Sequence, residues 1–194
     1  MKIIKKIWKV ICFFVTNIYY LPRLKKIPKF YNVNVGIVIG DTKRKDLKDV
    51  YAISSHFDGK PHSIIHRILY FFLSKKCIFS AKCETTGKIV GVVLFYKNKR
   101  DVVEKTIHLG FIGVEPEWQR KKVATTLMTN AIDHFKNSRL DGISSRVSLD
   151  NHSSLKLHIN HGFKPAEKYF DEKTNEERYY LICSLKKDFH NECK

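Results

Sequence analysis

Three strand-like runs follow one another with almost no chain between them, at residues 77–83, 89–96 and 106–114. Each is dense in β-branched and aromatic side chains. Thr85-Thr86-Gly87-Lys88 separates the first two, and residues 97–101 the next two. Neither link is long enough for a crossover, so the runs must be antiparallel neighbours. The rest of the chain has to build around that sheet. Residues 123–135 place Val123, Ala124, Leu127, Met128, Ala131, Ile132 and Phe135 on one helical stripe. A strand over 143–149, a short helix over 153–160 and a last strand over 178–185 follow. Ahead of the three runs lie a strand over 35–39, a helix over 46–56, a turn at Gly59-Lys60-Pro61 and a second helix capped by Ser63. The order β-α-α-β-β-β-α-β-α-β-β predicts an α/β chain of the α+β kind, a mixed, mostly antiparallel twisted sheet with helices on both faces.

Composition agrees with a packed domain. The chain has 194 residues, 43% of them hydrophobic, which excludes a disordered polymer. Lys and Arg number 36 against 19 Asp and Glu, a net charge of +17, and this directs attention to an anionic partner. The charge is unevenly placed. Lys2, Lys5, Lys6, Lys9, Arg23, Lys25, Lys26 and Lys29 all precede the first acid, Asp41. Five cysteines, odd in number and scattered, suit a reducing compartment better than a disulfide framework.

The amino-terminal segment has its own pattern. Ile3, Ile4, Ile7, Trp8, Ile11, Phe14, Val15 and Ile18 recur at helical spacing, with the lysines on the other side. Its uncharged stretch of about 12 residues falls short of the roughly 20 that span a bilayer. No small-residue cleavage site follows it. Pro22 and Pro28 then break the helix. We expect residues 1–32 to be a basic amphipathic arm and linker, and residues 33–194 to be the domain. Residues 1–29 would face an anionic membrane surface, making the protein cytoplasmic and peripheral on the inner face of the membrane. The competing expectation is a helix packed on its own domain or on a partner subunit.

The stretch richest in chemical information is Gly110-Phe111-Ile112-Gly113-Val114-Glu115-Pro116-Glu117-Trp118-Gln119-Arg120-Lys121-Lys122-Val123-Ala124-Thr125. A strand passes through a Pro-containing turn into a helix whose first N–H groups have no intrahelical partner. Arg120, Lys121 and Lys122 crowd that helix start. Free N–H groups, the helix dipole and three cations together make an anion site suited to a pyrophosphate.

This stretch resembles motif A of the GCN5-related N-acetyltransferases: Gln or Arg, two variable residues, Gly, one variable residue, then Gly or Ala. Gln119 and Ala124 match, and Lys122 stands where the first glycine is usual. Asn151, Ser154, Leu157, Gly162 and Phe163 fit the family's later pattern on the next helix and turn. The resemblance covers about residues 33–185. It implies acetyl-CoA as co-substrate, held by Ile112, Gly113, Val114, Gln119, Arg120, Lys121, Lys122, Val123, Ala124, Thr125 and Asn151. In the family the end of the strand splays from its neighbour and its free backbone groups pair with pantetheine. Lys122 is expected to offer its N–H with a backbone outside positive φ.

His158 occupies the place where many members carry the Tyr that protonates the leaving thiolate. A protonated histidine can do the same, which makes His158 the catalytic candidate; the alternative is a ring that packs beside the pantetheine with water as the acid. For the base, His108 and Glu104 are nearest by position, while Glu115 and Glu117 are expected to be solvated. Cys183 reads as a small buried hydrophobe, because direct transfer needs no acyl-enzyme. His152, His158 and His161 do not have the spacing of a metal site, and no metal is expected.

The implied reaction moves acetyl to a primary amine of a small-molecule, amino-sugar or protein acceptor by direct attack in a ternary complex. The acceptor would be chosen by the first two domain helices, residues 59–63 and residues 164–177. The basic arm suggests a membrane-proximal amino sugar. Lys122 and His158 motivate the alternative of a non-catalytic CoA-binding or membrane- or partner-binding module. No nucleic-acid motif accompanies the charge, so no nucleic-acid partner is expected, and nothing in the sequence indicates an oligomeric state.

Overall fold

In the computed structural model the three central runs sit in one eight-stranded sheet of order β1-β2-β3-β4-β5-β6-β8-β7. The structure describes residues 2–32, 35–58 and 63–186, without the side chains of Lys2, Ile3, Lys5 and Lys6. The turn expected at Gly59-Lys60-Pro61 and the domain start expected at 33 lie outside the described residues. The strands are β1 Phe30–Asn32, β2 Ile37–Asp41, β3 Ile78–Cys83, β4 Ile89–Tyr96, β5 Thr106–Val114, β6 Gly142–Ser148, β7 Lys164–Asp171 and β8 Glu176–Ser184. All neighbours are antiparallel except β5 and β6. The helices are α1 Lys2–Tyr20, α2 Leu47–Asp58, α3 Ile64–Cys77, α4 Lys99–Val103, α5 Val123–Lys136 and α6 His152–Asn160. The parallel β5–β6 pair requires a crossover, and α5 supplies it.

β4 is apolar at nearly every position because helices cover both of its faces. Close approach of α5 depends on Gly91, where a Cβ would lie 3.0 Å from Val123 and 3.2 Å from Leu127. The rings of Phe79, Phe95 and Phe135 meet edge to face at 4.9–5.9 Å and anchor α5 over β3 and β4. The Ser63 side chain caps α3, as its sequence position suggests, by accepting from the His66 N–H.

Two elements differ from expectation in the body of the fold. The link from β4 to β5 contains α4, nucleated by a capping box. The Asn98 side chain accepts from the N–H groups of Arg100 and Asp101, and Asp101 accepts from the Asn98 N–H at 2.8 Å. Before β2, the short strand β1 adds an edge to the sheet.

The amino-terminal helix is not a free arm. Its Asn17 is 0% exposed: Nδ2 donates to the carbonyls of Phe13 and Lys97, and Oδ1 accepts from the Lys97 N–H at 2.7 Å. Phe13 packs on His66 and Tyr96, and Leu21 and Ile27 are core residues. The opposite side of α1 is uncovered, with Ile4, Ile7, Trp8, Ile11, Val15 and Ile18 between 39% and 72% exposed. No helix among the described residues is long and apolar enough to cross a membrane.

Candidate active site

β5 pairs with β6 only from Thr106 to Leu109, then the two strands part, while β5 stays antiparallel to β4 as far as Val114. The cause is a bulge. Pairing steps from Leu94 opposite Phe111 to Phe95 opposite Leu109, leaving Gly110 as the extra residue. The Tyr96 ring occupies the space a Cβ on Gly110 would need, so no larger residue fits there. A bulge sharpens the local twist and turns the end of β5 away from β6. Beyond it the Glu115 N–H donates to the Val90 carbonyl. By strand alternation, the backbone groups of Ile112 and Val114 therefore face the gap. Gln119 Nε2 donates to the Val114 carbonyl at 3.2 Å, tying the following turn to the strand end. An extended ligand carrying amide groups can add to this edge as a strand would.

The turn ends where α5 begins. The Thr126 N–H and hydroxyl both donate to the Lys122 carbonyl at 2.9 Å, so the N–H groups of Val123, Ala124 and Thr125 have no intrahelical acceptor. Arg120, Lys121 and Lys122 are exposed around them. None of the three forms an ion pair with a described residue. The donor set fits a pyrophosphate. One expectation is corrected: Lys122 has φ 63° and Arg120 φ 59°, both left-handed. The loop keeps the backbone path a glycine would take and bears the steric cost of two side chains there.

At the next helix, Asn151 caps α6 through Oδ1, which accepts from the Ser154 N–H at 3.0 Å. His158, on the same helix, is 1% exposed and stands edge-on to Phe163 at 4.8 Å. Its Nδ1–H donates to the Ser154 carbonyl at 2.8 Å, and its buried Nε2 has no partner. Burial pushes its pKa below 6.5, only partly opposed by the Ser154 carbonyl. The acid role expected from the sequence needs an imidazolium, the form that burial disfavours; the contacts describe a ring packed beside Phe163 with Nδ1–H bonded to the backbone.

The other candidates separate clearly. Glu104 accepts from Arg100 Nε at 2.6 Å and from the Tyr180 hydroxyl at 2.8 Å, and is not a free base. Cys183 is buried, which raises its thiol pKa and keeps it protonated. His108, one residue before the strands part, is 3% exposed and its Nδ1 lies 2.8 Å from Ser144 Oγ. Ser144 Oγ in turn lies 2.5 Å from Asp101 Oδ1. Sequence reading missed both Asp101 and Ser144, because a serine in a strand and an acid in a link carry no pattern of their own. Arg146, Tyr180 and Glu167 extend the same sheet face into a cleft of about 500 Å³. Tyr169, whose hydroxyl is buried without a partner among the described residues, and Asp171 also line it. Among the described residues no group of three His, Cys, Asp or Glu side chains has the arrangement to hold a metal ion.

Known proteins share this fold. A profile of the Acetyltransferase (GNAT) family matches residues 47–163. N-alpha-acetyltransferase 30 of Dictyostelium discoideum is 26% identical over 138 residues, which is 70% of this chain and 68% of that protein. The NatC complex bound to Gag peptide and CoA contains a chain that superposes with a TM-score of 0.69 at 18% identity, covering 77% of this chain and 99% of its own. An N-acetyltransferase from Staphylococcus aureus Mu50 superposes with a TM-score of 0.65 at 22% identity, covering 77% and 99%. The profile takes in the parted strand, the cationic turn, α5 and α6, and the chain belongs to the acetyltransferase (GNAT) family as an acetyl-CoA-dependent N-acetyltransferase.

Proposed function

We propose that the acceptor is the free α-amine of a peptide or protein, acetylated by direct attack on acetyl-CoA in a ternary complex. The observation that carries this reading is the cleft beside the parted strands, which presents both signs of charge, with Arg146 and Lys173 alongside Glu167, Asp171 and Glu172. A polyamine calls for a uniformly acidic lining, whereas a peptide presents an amine together with carbonyl groups and side chains of either sign. The kinship with N-alpha-acetyltransferase 30 supports the same choice. Acetyl-CoA supplies the activated acyl group. In this reading the backbone of Ile112 and Val114 pairs with the pantetheine, and Gly113 between them keeps the strand edge narrow. The N–H groups of Val123, Ala124 and Thr125 take the pyrophosphate with Arg120, Lys121 and Lys122. Gln119 and Asn151 hold the turn and α6 in place. Rate enhancement comes from alignment of amine and thioester and from backbone N–H groups on the thioester carbonyl.

Release of free thiol from acetyl-CoA tests the acceptor. A peptide with a free amino terminus should be turned over, and the same peptide blocked at that terminus should not. Spermidine and a nucleotide-linked amino sugar should be poor acceptors. Turnover of the amino sugar with none of the peptide would overturn the assignment in favour of the small-molecule acceptor.

A second reading concerns where the enzyme works. The uncovered apolar stripe of α1, together with exposed Lys9 on that helix and exposed Arg23, Lys25, Lys26 and Lys29 in the segment after it, supports contact with an anionic lipid surface, at about 1 kcal/mol per cation near the surface. Replacing Ile7, Trp8 and Ile11 by Ser should abolish co-sedimentation with phosphatidylserine vesicles and leave turnover intact. Unchanged sedimentation, or a dimer that these substitutions dissolve in the absence of vesicles, would refute it.

A further inference from the structure

We infer that Asp101 and Ser144 fix the proton of His108 on Nδ1 and so present its bare Nε2 as the base that takes the proton of the attacking amine, an inference that rests on the acetyl-transfer activity described above. Ser144 has a single hydroxyl proton. Its Oγ lies 2.5 Å from Asp101 Oδ1 and 2.8 Å from His108 Nδ1. Asp101 Oδ1 also accepts from the Thr106 hydroxyl at 2.8 Å, and Oδ2 accepts from the Asn98 N–H at 2.8 Å. A carboxylate that accepts on both oxygens draws the Ser144 proton toward itself. Ser144 Oγ must then accept, and the only donor facing it on the ring is His108 Nδ1–H. The Tyr180 hydroxyl, which also bears on Ser144, donates to Glu104 at 2.8 Å and leaves this order in place. His108 Nε2 carries a lone pair and has no partner among the described residues.

Position favours a chemical use. His108 pairs with Ser144 across the parallel strands, just before Leu109, the last paired residue, and two residues before the bulge that opens the gap. It shares a sheet face with the cleft lined by Arg146 and Tyr180. Burial, opposed by the Asp101 carboxylate and reinforced by the Arg146 guanidinium and His158, draws the ring pKa down to about 4. Burial thus favours the neutral ring, the form that can take up a proton.

The step balances as follows. The acceptor enters as the free amine, and its nitrogen bonds to the thioester carbonyl carbon. That nitrogen becomes strongly acidic once the bond forms, so a weakly basic imidazole suffices to take its proton. His108 Nε2 receives it, and the Asp101 charge, acting through Ser144, stabilises the imidazolium. The C–S bond breaks with its electron pair going to sulfur, and the thiolate is protonated by the imidazolium or by solvent. Amine and thioester become amide and thiol, and the ring is restored.

The test uses the full chain labelled with ¹⁵N-histidine, with His108→Gln assigning the ring signals. At pH 7 the His108 proton should be found on Nδ1. Ser144→Ala should give a mixture of tautomers and lower kcat about tenfold with the KM for acetyl-CoA unchanged, and Ser144→Thr should restore both. His108→Gln should lower kcat a hundredfold or more. A wild-type proton on Nε2, or a kcat for His108→Gln within twofold of wild type, would overturn the inference. Should wild type release no thiol with any amine, the acceptor reading fails while CoA binding and the tautomer still report on the site: the proton on Nδ1 upholds the relay, and on Nε2 it refutes it.

Discussion

Lys122 and Arg120 show how a single residue can hold a loop in a shape its chemistry resists. Both sit at positive φ, where a Cβ crowds the following carbonyl at about 1 kcal/mol per residue. Each also places a cation at a helix start, where the dipole disfavours it. Neither feature helps the empty fold, and both suit a bound anion. Lys122→Gly should therefore raise stability by about 1 kcal/mol in denaturant unfolding while weakening CoA several-fold at low salt, measured by calorimetry. The buried histidines make a second statement at this scale. His108, His134 and His158 all have pKa values lowered by burial. An unfolded chain takes up protons at these sites near pH 6.5, before the folded one does. Above that pH they leave stability unchanged, and below it stability falls, for His108 until about 4 at up to about 1.4 kcal/mol per pH unit. The urea midpoint should drop between pH 7 and pH 5, and His134→Phe should flatten the slope.

Among the elements, β5 and α1 do more than their sequence patterns announce. The Gly110 bulge follows the last β5–β6 pair, where the gap between the two strands opens. Gly110→Ala would drive a methyl group into the Tyr96 ring. A loss of about 1–3 kcal/mol is expected, together with weaker CoA binding, because the strand end would no longer be aimed correctly. α1 is joined to the same region from outside. Asn17 satisfies both backbone groups of Lys97, and Lys97 Nζ donates to the carbonyls of Asp101 and Thr106. The arm thus braces the segment that carries Asp101. Asn17→Ala leaves two buried backbone groups unpaired and should cost about 2–4 kcal/mol, read from denaturant unfolding. Deletion of residues 1–29 would strip Leu21 and Ile27 from the core, so membrane contact is better tested by surface substitutions than by truncation.

Across the whole molecule, the charge of +17 has two concentrations with different consequences. One lies at the start of α5, the other on α1 and the segment that follows it. Exposed charges are screened over about 8–10 Å at ordinary ionic strength, so CoA binding should weaken as salt rises while the fold does not. Element order, the cationic turn and the stripe on α5 were legible in the sequence because each is written in neighbouring residues: a period of 2 or 3.6, a proline, a cap. The domain helices and the central strands fall where those periods put them. Short features such as α4 and β1 escaped, since a five-residue helix and a three-residue edge strand are too brief to show a period.

What the sequence by itself determined is the family's scaffold and the cationic turn at the start of α5, both products of local pattern. The contacts that depend on distant pairing were decided only by the tertiary structure. Asp101, Ser144 and His108 come from three elements and meet through the parallel register that sets His108 against Ser144. Asn17 reaches Lys97 across 80 residues of chain. For His158 likewise, burial and the Ser154 carbonyl, rather than residue type, bear on where its proton lies. Periodicity reports which side of an element is buried; only packing determines which neighbour a side chain meets there and what that neighbour does to its protons.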